Sequence, residues 1–263
     1  VWAKFPLRPI GDGPPPPAGE DWAARPWQPP SFALSPAAMD ACRLAAHDLA
    51  CRRGDRLLFA KLSFALEDGA GLQLVGSNGI GKSSLIRILA GLLGPFTGTV
   101  DRTGAVGLLD ERPALDPHLP LGQALGLWAD IDGLGFLARE SCAERAGLHD
   151  LLEVPVRYLS TGQKKRAALA RLIGQQAPIW LLDEPLNGLD TKGVEFVEEL
   201  TAEHCASGGI AVIASHQPFD LPGMARIELS SFLPSPLGKD RGWGLDAGDE
   251  PPPQPLPNGE GLS

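Results

Sequence analysis

Cysteine is scarce in this chain. Its four residues, Cys42, Cys51, Cys142 and Cys205, are scattered without the close pairs that ligate a metal or run thiol–disulfide exchange, so they read as reduced structural thiols. Basic residues are outnumbered, 23 Lys and Arg against 32 Asp and Glu, and the net charge of −9 argues against nonspecific nucleic-acid binding. No basic stripe appears beyond Lys164-Lys165-Arg166, which is expected on the exposed face of a helix. No apolar run approaches the ~18 residues of a membrane span, and no signal peptide is recognisable. The chain is therefore expected to be cytosolic and to depend on other proteins for any membrane role. Proline is thin in the middle: ten of 26 lie in residues 1–38 and seven in 234–263.

That distribution sets the expected organisation. One α/β domain is expected over residues 39–233, between two low-complexity, disordered extensions at 1–38 and 234–263. Four of the six tryptophans, Trp2, Trp22, Trp27 and Trp243, fall in these ends. The first methionine, Met39, stands just before the expected opening strand, which suggests a natural start there and a misassigned segment upstream. A proline-rich docking arm is the competing reading, disfavoured because no repeated P-x-x-P register emerges.

Four short stretches carry the chemistry. GSNGIGKS, Gly76 to Ser83, has the pattern G-x-x-x-x-G-K-S, whose glycines let backbone N–H groups turn inward around phosphate oxygens. Gly76, Ser77, Asn78, Gly79, Ile80, Gly81, Lys82, Ser83 and Ser84 are the expected nucleotide-binding residues. The apolar run Leu72 to Val75 reads as a buried strand before the loop. After it, Leu85, Ile86, Leu89, Leu92 and Leu93 recur at helical spacing, so the loop leads into a helix N-terminus. Lys82 suits the β- and γ-phosphates, and the Ser83 hydroxyl suits one position on Mg²⁺.

The apolar run Ile179 to Leu182 delivers Asp183-Glu184-Pro185 at its C-terminal end, where open α/β sheets bind ligands. Asp183 is expected to hold Mg²⁺ and Glu184 to orient and deprotonate the attacking water. A solvated acidic turn is the bland alternative. In LSTGQ, Leu159 to Gln163, Ser160 offers an N-cap to a helix expected over 164–173, and Gly162 adds a flexible second phosphate-binding device. One nucleotide cannot easily occupy two such devices in one small domain unless two chains each contribute one. His216 follows the apolar strand Ile210 to Ala214, a place where a histidine is usually structural.

In this order the four stretches resemble the ATP-binding cassette family, with GSNGIGKS as Walker A, LSTGQ as the signature, LLDEP as Walker B and His216 as the switch histidine. The resemblance covers about Arg43 to Leu229. It implies a P-loop NTPase fold with a small helical subdomain, about 113–160, and a head-to-tail homodimer that binds ATP and Mg²⁺. It further implies Ser160, Gly162 and Gln163 on the nucleotide, Asp190 in the NGLD D-loop, and a His216 that reports the γ-phosphate. Phe59 to Val100, SNGIGKSSL and the His216-Gln217-Pro218 triplet resemble the ATPase subunits of cytochrome c maturation. The expected partners are then the integral membrane permease subunits of that complex, with the cassette peripheral on the cytoplasmic face of a bacterial inner membrane. No Cys-His haem attachment motif is present, so haem would be handled by those partners.

Two departures stand out. Where most cassettes carry a glutamine after the strand preceding the helical insert, this chain reads Leu109-Asp110-Glu111-Arg112-Pro113, and Glu111 is a stronger Mg²⁺ ligand than Gln while Arg112 is none. Where many cassettes stack adenine on an aromatic, Arg53 stands at the matching position; its guanidinium plane stacks on bases with less preference among them. In the insert, Leu121, Leu125, Leu127, Trp128, Leu134, Phe136 and Leu137 offer apolar surface, either as subdomain core or as a groove for a membrane partner. An exporter for another cargo, and less readily a soluble non-transport cassette, would carry the same four stretches.

Overall fold

The computed structural model describes residues 41–111, 113–133 and 136–233, without the side chains of 136–140. The expected extensions, Met39, Arg112, Leu134 and the side chains of Phe136 and Leu137 lie outside the described residues. Strands β1 (Arg43–Arg53) and β2 (Arg56–Glu67) form a hairpin closed by Gly54-Asp55, where Gly54 takes φ 57°. With β4 (Thr97–Thr103) they make an antiparallel sheet of order β2-β1-β4.

The other strands, β3 (Gly71–Val75), β5 (Val106–Leu109), β6 (Ile179–Asp183), β7 (Ile210–Ala214) and β8 (Ala225–Glu228), form a parallel sheet of order β5-β6-β7-β3-β8. Continuous apolar runs are what a sheet covered on both faces requires. Because side chains alternate along a strand, Ile179 and Leu181 of β6, with Ile210 and Val212 of β7, point to one core with Leu85, Ile86 and Leu89 of helix α1 (Lys82–Leu89). Trp180, Leu182, Ala211 and Ile213 point the other way. They meet Leu169 and Leu172 of α4 (Thr161–Gln175) and Val197 and Leu200 of α5 (Thr191–Ala206).

Helix α1 is shorter than its apolar spacing predicts. Gly91 at φ 77° turns the chain, and the Leu92 and Leu93 amides donate back to the Arg87 carbonyl at 2.9 and 3.1 Å, so Leu92 is left 67% exposed. The helical insert holds α2 (Leu121–Ile131) and α3 (Phe136–Arg145), which pack on α4 around Leu121, Leu125, Ala143, Leu148, Val156, Ala167 and Ala170. Leu121 and Leu125 are thus core, Trp128 is half-buried beneath the Arg171 guanidinium at 3.4 Å, and Leu127 is 53% exposed.

The second core contains a pH-sensitive element. His204 of α5 is buried, stacked on Trp180 at 3.9 Å with an interplanar angle of 7°, and bonded through Nε2 to the Ile210 carbonyl at 3.2 Å. Burial pushes its pKa from the ordinary 6.5 down to about 4. Unfolding therefore takes up a proton between those values, so the contribution is complete above pH 6.5 and lost as pH falls towards 4. It amounts to about 3 kcal/mol. Chemical denaturation of the wild type and of His204→Phe is expected to show a steeper decline in stability for the wild type across that window; parallel curves would contradict it.

Candidate nucleotide site

The loop between β3 and α1 is built by backbone conformations that glycine alone adopts readily. Gly76, Gly79 and Gly81 take φ 144°, 77° and 121°. A Cβ on Gly81 would also press on Phe59 at 3.1 Å and Leu58 at 3.3 Å. Gly81 is the N-cap of α1 and no side chain caps it, which leaves the first amides of the helix for an anion.

The parallel sheet brings two distant segments to this loop, because β7 pairs with β3, β6 pairs with β7, and all three strands end on the same side. Ser83 Oγ donates to Asp183 Oδ1 at 3.0 Å across 100 residues of sequence. Lys82 Nζ donates to the Gly76 carbonyl at 2.8 Å and lies 3.8 Å from Glu184 Oε1. The other oxygen, Glu184 Oε2, lies 2.8 Å from His216 Nδ1. Glu184 has a left-handed backbone, φ 47°, uncommon for a residue with a side chain, and its amide donates to the Ala214 carbonyl at 2.8 Å. These groups border a cleft of ≈ 590 Å³, with Asn78, Gly79, Gly81, Ser84, Asn187 and Glu111 also on its walls. Arg53 lines it too, together with Arg56.

Burial raises the Asp183 pKa above the usual carboxylate range; Asp110 and Glu184 add to the rise, and the Ser83 hydroxyl opposes it. A carboxylate made costly by burial and like charge favours a cation beside it. The donors here, Ser83 Oγ and Asp183 with Glu111 on the wall, are hard oxygens that suit Mg²⁺, which takes few protein ligands and fills its remaining positions from phosphates and water. Among the described residues no group of three or more His, Cys, Asp or Glu side chains is placed to hold a metal ion.

Not every expected residue enters the cleft. Ile80 is buried in the core, and Ser77 presents its carbonyl to Lys82 at 3.5 Å. Ser160 and Gln163 form a capping box on α4: the Gln163 amide donates to Ser160 Oγ at 3.2 Å and the Ser160 amide to Gln163 Oε1 at 2.8 Å. Neither they nor Gly162 borders the cleft. Gly162 instead lies against the following loop, where a Cβ would come within 3.1 Å of the Gly188 carbonyl. Asp190 caps α5 by accepting from the Gly193 amide at 2.9 Å and faces Arg166 at 3.3 Å.

One expectation about the basic triplet is corrected. Lys164 and Arg166 are half-buried, but Lys165 is only 8% exposed, and its ammonium donates to the Glu184 carbonyl at 3.1 Å. The signal was in the spacing: Lys165 precedes Leu169 and Leu172 by four and seven residues, so it belongs to the buried stripe of α4. Asp110, which holds Arg87 at 3.1 Å, was also missed as a neighbour of the site.

Comparison with known proteins gives a consistent result. The ABC transporter family matches residues 59–187. The cytochrome c biogenesis ATP-binding export protein CcmA of Novosphingobium aromaticivorans is 58% identical over 196 residues, 74% of this chain and 100% of that protein. The protein of the same name from Rhodospirillum rubrum is 41% identical over 218 residues, 78% and 92% of the two chains. Among solved structures, a dimeric ATP-binding cassette in a post-hydrolysis state bound to ADP and Pi shares the fold at a TM-score of 0.60, with 22% identity over 66% of this chain and 88% of that one. A bacterial Atm1-family ABC exporter with ATP bound gives a TM-score of 0.64 at 22% identity, covering 72% of this chain and 37% of that one. Among the described residues no helix is long and apolar enough to cross a membrane.

Proposed function

Because the chain belongs to the ABC transporter family, whose ATP-hydrolysing subunits it joins, we propose that two copies close head to tail around two MgATP molecules and reopen on hydrolysis. The observation that carries this reading is the convergence of Lys82, Ser83, Asp183, Glu184 and His216 on one cleft, while Ser160 and Gly162 lie outside it. A second copy completes the site by presenting that signature segment.

Within the cleft, the amides of the Gly76–Ser83 loop and the Lys82 ammonium hold the β- and γ-phosphates. Ser83 and Asp183 would hold Mg²⁺, which when bound neutralises charge on the phosphates. Glu184 accepts the proton of the attacking water. His216, bonded to the same carboxylate, fixes its orientation and contacts the γ-phosphate, so that loss of this phosphate is felt at the end of β7.

The names of the relatives place this work in cytochrome c biogenesis. We assign to the chain the ATPase role in haem export or haem-chaperone release there, on the cytoplasmic face of the inner membrane and attached to permease subunits. Affinity capture of the full chain from its own membranes under MgATP, followed by mass spectrometry and a haem absorbance scan, tests the assignment. Recovery of cytochrome c maturation proteins is expected. An unrelated permease would keep the cassette and discard the haem role, whereas ribosomal proteins without a membrane partner would overturn the transport reading.

A further inference from the structure

Three contacts join the start of α4 to the segment that follows β6. Gly162 lies against the Gly188 carbonyl, Arg166 faces Asp190 at 3.3 Å, and Lys165 donates to the Glu184 carbonyl at 3.1 Å. Only the third is made by a charged side chain that is more than nine-tenths buried. A buried ammonium is costly, and a surface-facing helix would place it in water at no loss. Its partner is the carbonyl of the residue that bears the candidate general base, at the point where the backbone turns left-handed, φ 47°.

We propose that Lys165 is a positioning residue for ATP hydrolysis: its ammonium grips the Glu184 carbonyl and fixes the left-handed backbone that aims the Glu184 carboxylate at Lys82 and His216. The other backbone anchor of Glu184 is its amide, bonded to the Ala214 carbonyl at 2.8 Å. Together the two bonds fix both peptide groups of the residue, which leaves its carboxylate little rotational freedom beyond the side chain itself. Burial lowers the Lys165 pKa, and the negative charges of Asp183, Glu111, Asp110 and Glu184 partly oppose that fall. Ser160 and Gly162, which in the proposed dimer face the partner copy's nucleotide, stand five and three residues before Lys165 at the start of the same helix.

The inference rests on the reading of Glu184 as the base, and the test separates the two. Full chain captured from its own membranes is assayed as wild type, Lys165→Met, Lys165→Arg, Glu184→Gln and the Lys165→Met/Glu184→Gln double variant. Methionine keeps the unbranched shape without the charge. Lys165→Met is expected to lower kcat roughly 10- to 100-fold while the KM for ATP stays within about 2-fold, because misplacing a reacting group affects the transition state more than binding. Arginine, which keeps a charged donor, is expected to restore kcat to within about 5-fold of wild type. In the Glu184→Gln background, Lys165→Met is expected to remove less than a further ~2-fold, since a residue that acts through Glu184 has nothing left to position. If Lys165→Met melts below the assay temperature, Lys165→Gln, a neutral donor one atom shorter than lysine, is measured instead, with a smaller fall in kcat expected and the KM for ATP again within about 2-fold; a kcat equal to wild type would overturn the proposal. A Lys165→Met kcat near wild type, no recovery with arginine, or losses that multiply in the double variant would overturn the proposal while leaving Glu184 as the base. Full turnover by Glu184→Gln would instead remove the base itself, and this proposal with it.

Discussion

Glu184→Gln is expected to lower ATP turnover by ~10²–10⁴, the usual worth of a general base, while ATP still binds. The amide keeps the size of the carboxylate, and the hydrogen bonds of the Glu184 backbone, accepted from the Lys165 ammonium and donated to the Ala214 carbonyl, do not involve the Glu184 side chain. The phosphate-holding loop is likewise untouched, since Lys82 is bonded to the Gly76 carbonyl independently of Glu184. What is lost is the proton acceptor, while His216, 2.8 Å from the carboxylate, keeps a neutral amide as its bond partner. A closed, ATP-filled dimer is therefore expected to accumulate. Turnover and size-exclusion chromatography with MgATP check both halves of this expectation, and undiminished turnover would place the base elsewhere.

Lys82→Ala is expected to fail in the opposite way, at binding. Lys82 is 6% exposed, and its ammonium is set between the loop carbonyls and Glu184, where the β- and γ-phosphates are read to lie. Its removal takes away a desolvated positive charge and leaves Glu184 without its cation at 3.8 Å. A drop in kcat/KM of ~10²–10³ is expected, comparable to the removal of one preorganised donor from a charged transition state. Arginine is not expected to rescue, because a planar guanidinium cannot present a compact charge to a loop closed around Nζ. Titration with a fluorescent ATP analogue distinguishes this variant from Glu184→Gln: weak binding is expected here and retained binding there. Tight binding by Lys82→Ala would show that the loop amides suffice.

Much of this site was legible before any coordinates. Glycines at fixed offsets announce backbone geometry, so the Gly76–Ser83 loop could be placed between a strand and a helix. The apolar runs ending in Asp183 and Ala214 were legible as strands because a two-sided parallel sheet leaves no polar positions. The Ser160 cap was equally plain, since Ser and Gln three residues apart can each satisfy the other's amide. What escaped were properties set by packing between elements. Lys165 looked like one of three solvated charges, and only the stripe shared with Leu169 and Leu172 marks it as buried. Leu92 continued the helical spacing, yet Gly91 had already turned the chain. The left-handed backbone of Glu184 has no sequence signal at all, because a residue with a side chain is placed there by its neighbours.

In the proposed dimer, one chain's signature segment completes the other chain's nucleotide cleft. Cysteines at Asn78 and Ser160, in the Glu184→Gln background, test it most directly. The four native cysteines are buried, and Cys42 and Cys205 are pushed up to about 12, which keeps them poorly reactive. Mild oxidation with MgATP is expected to give an interchain disulfide and a covalent dimer on a non-reducing gel, absent without nucleotide. A crosslink that forms within one chain, or none under ATP, would contradict a site shared between two copies.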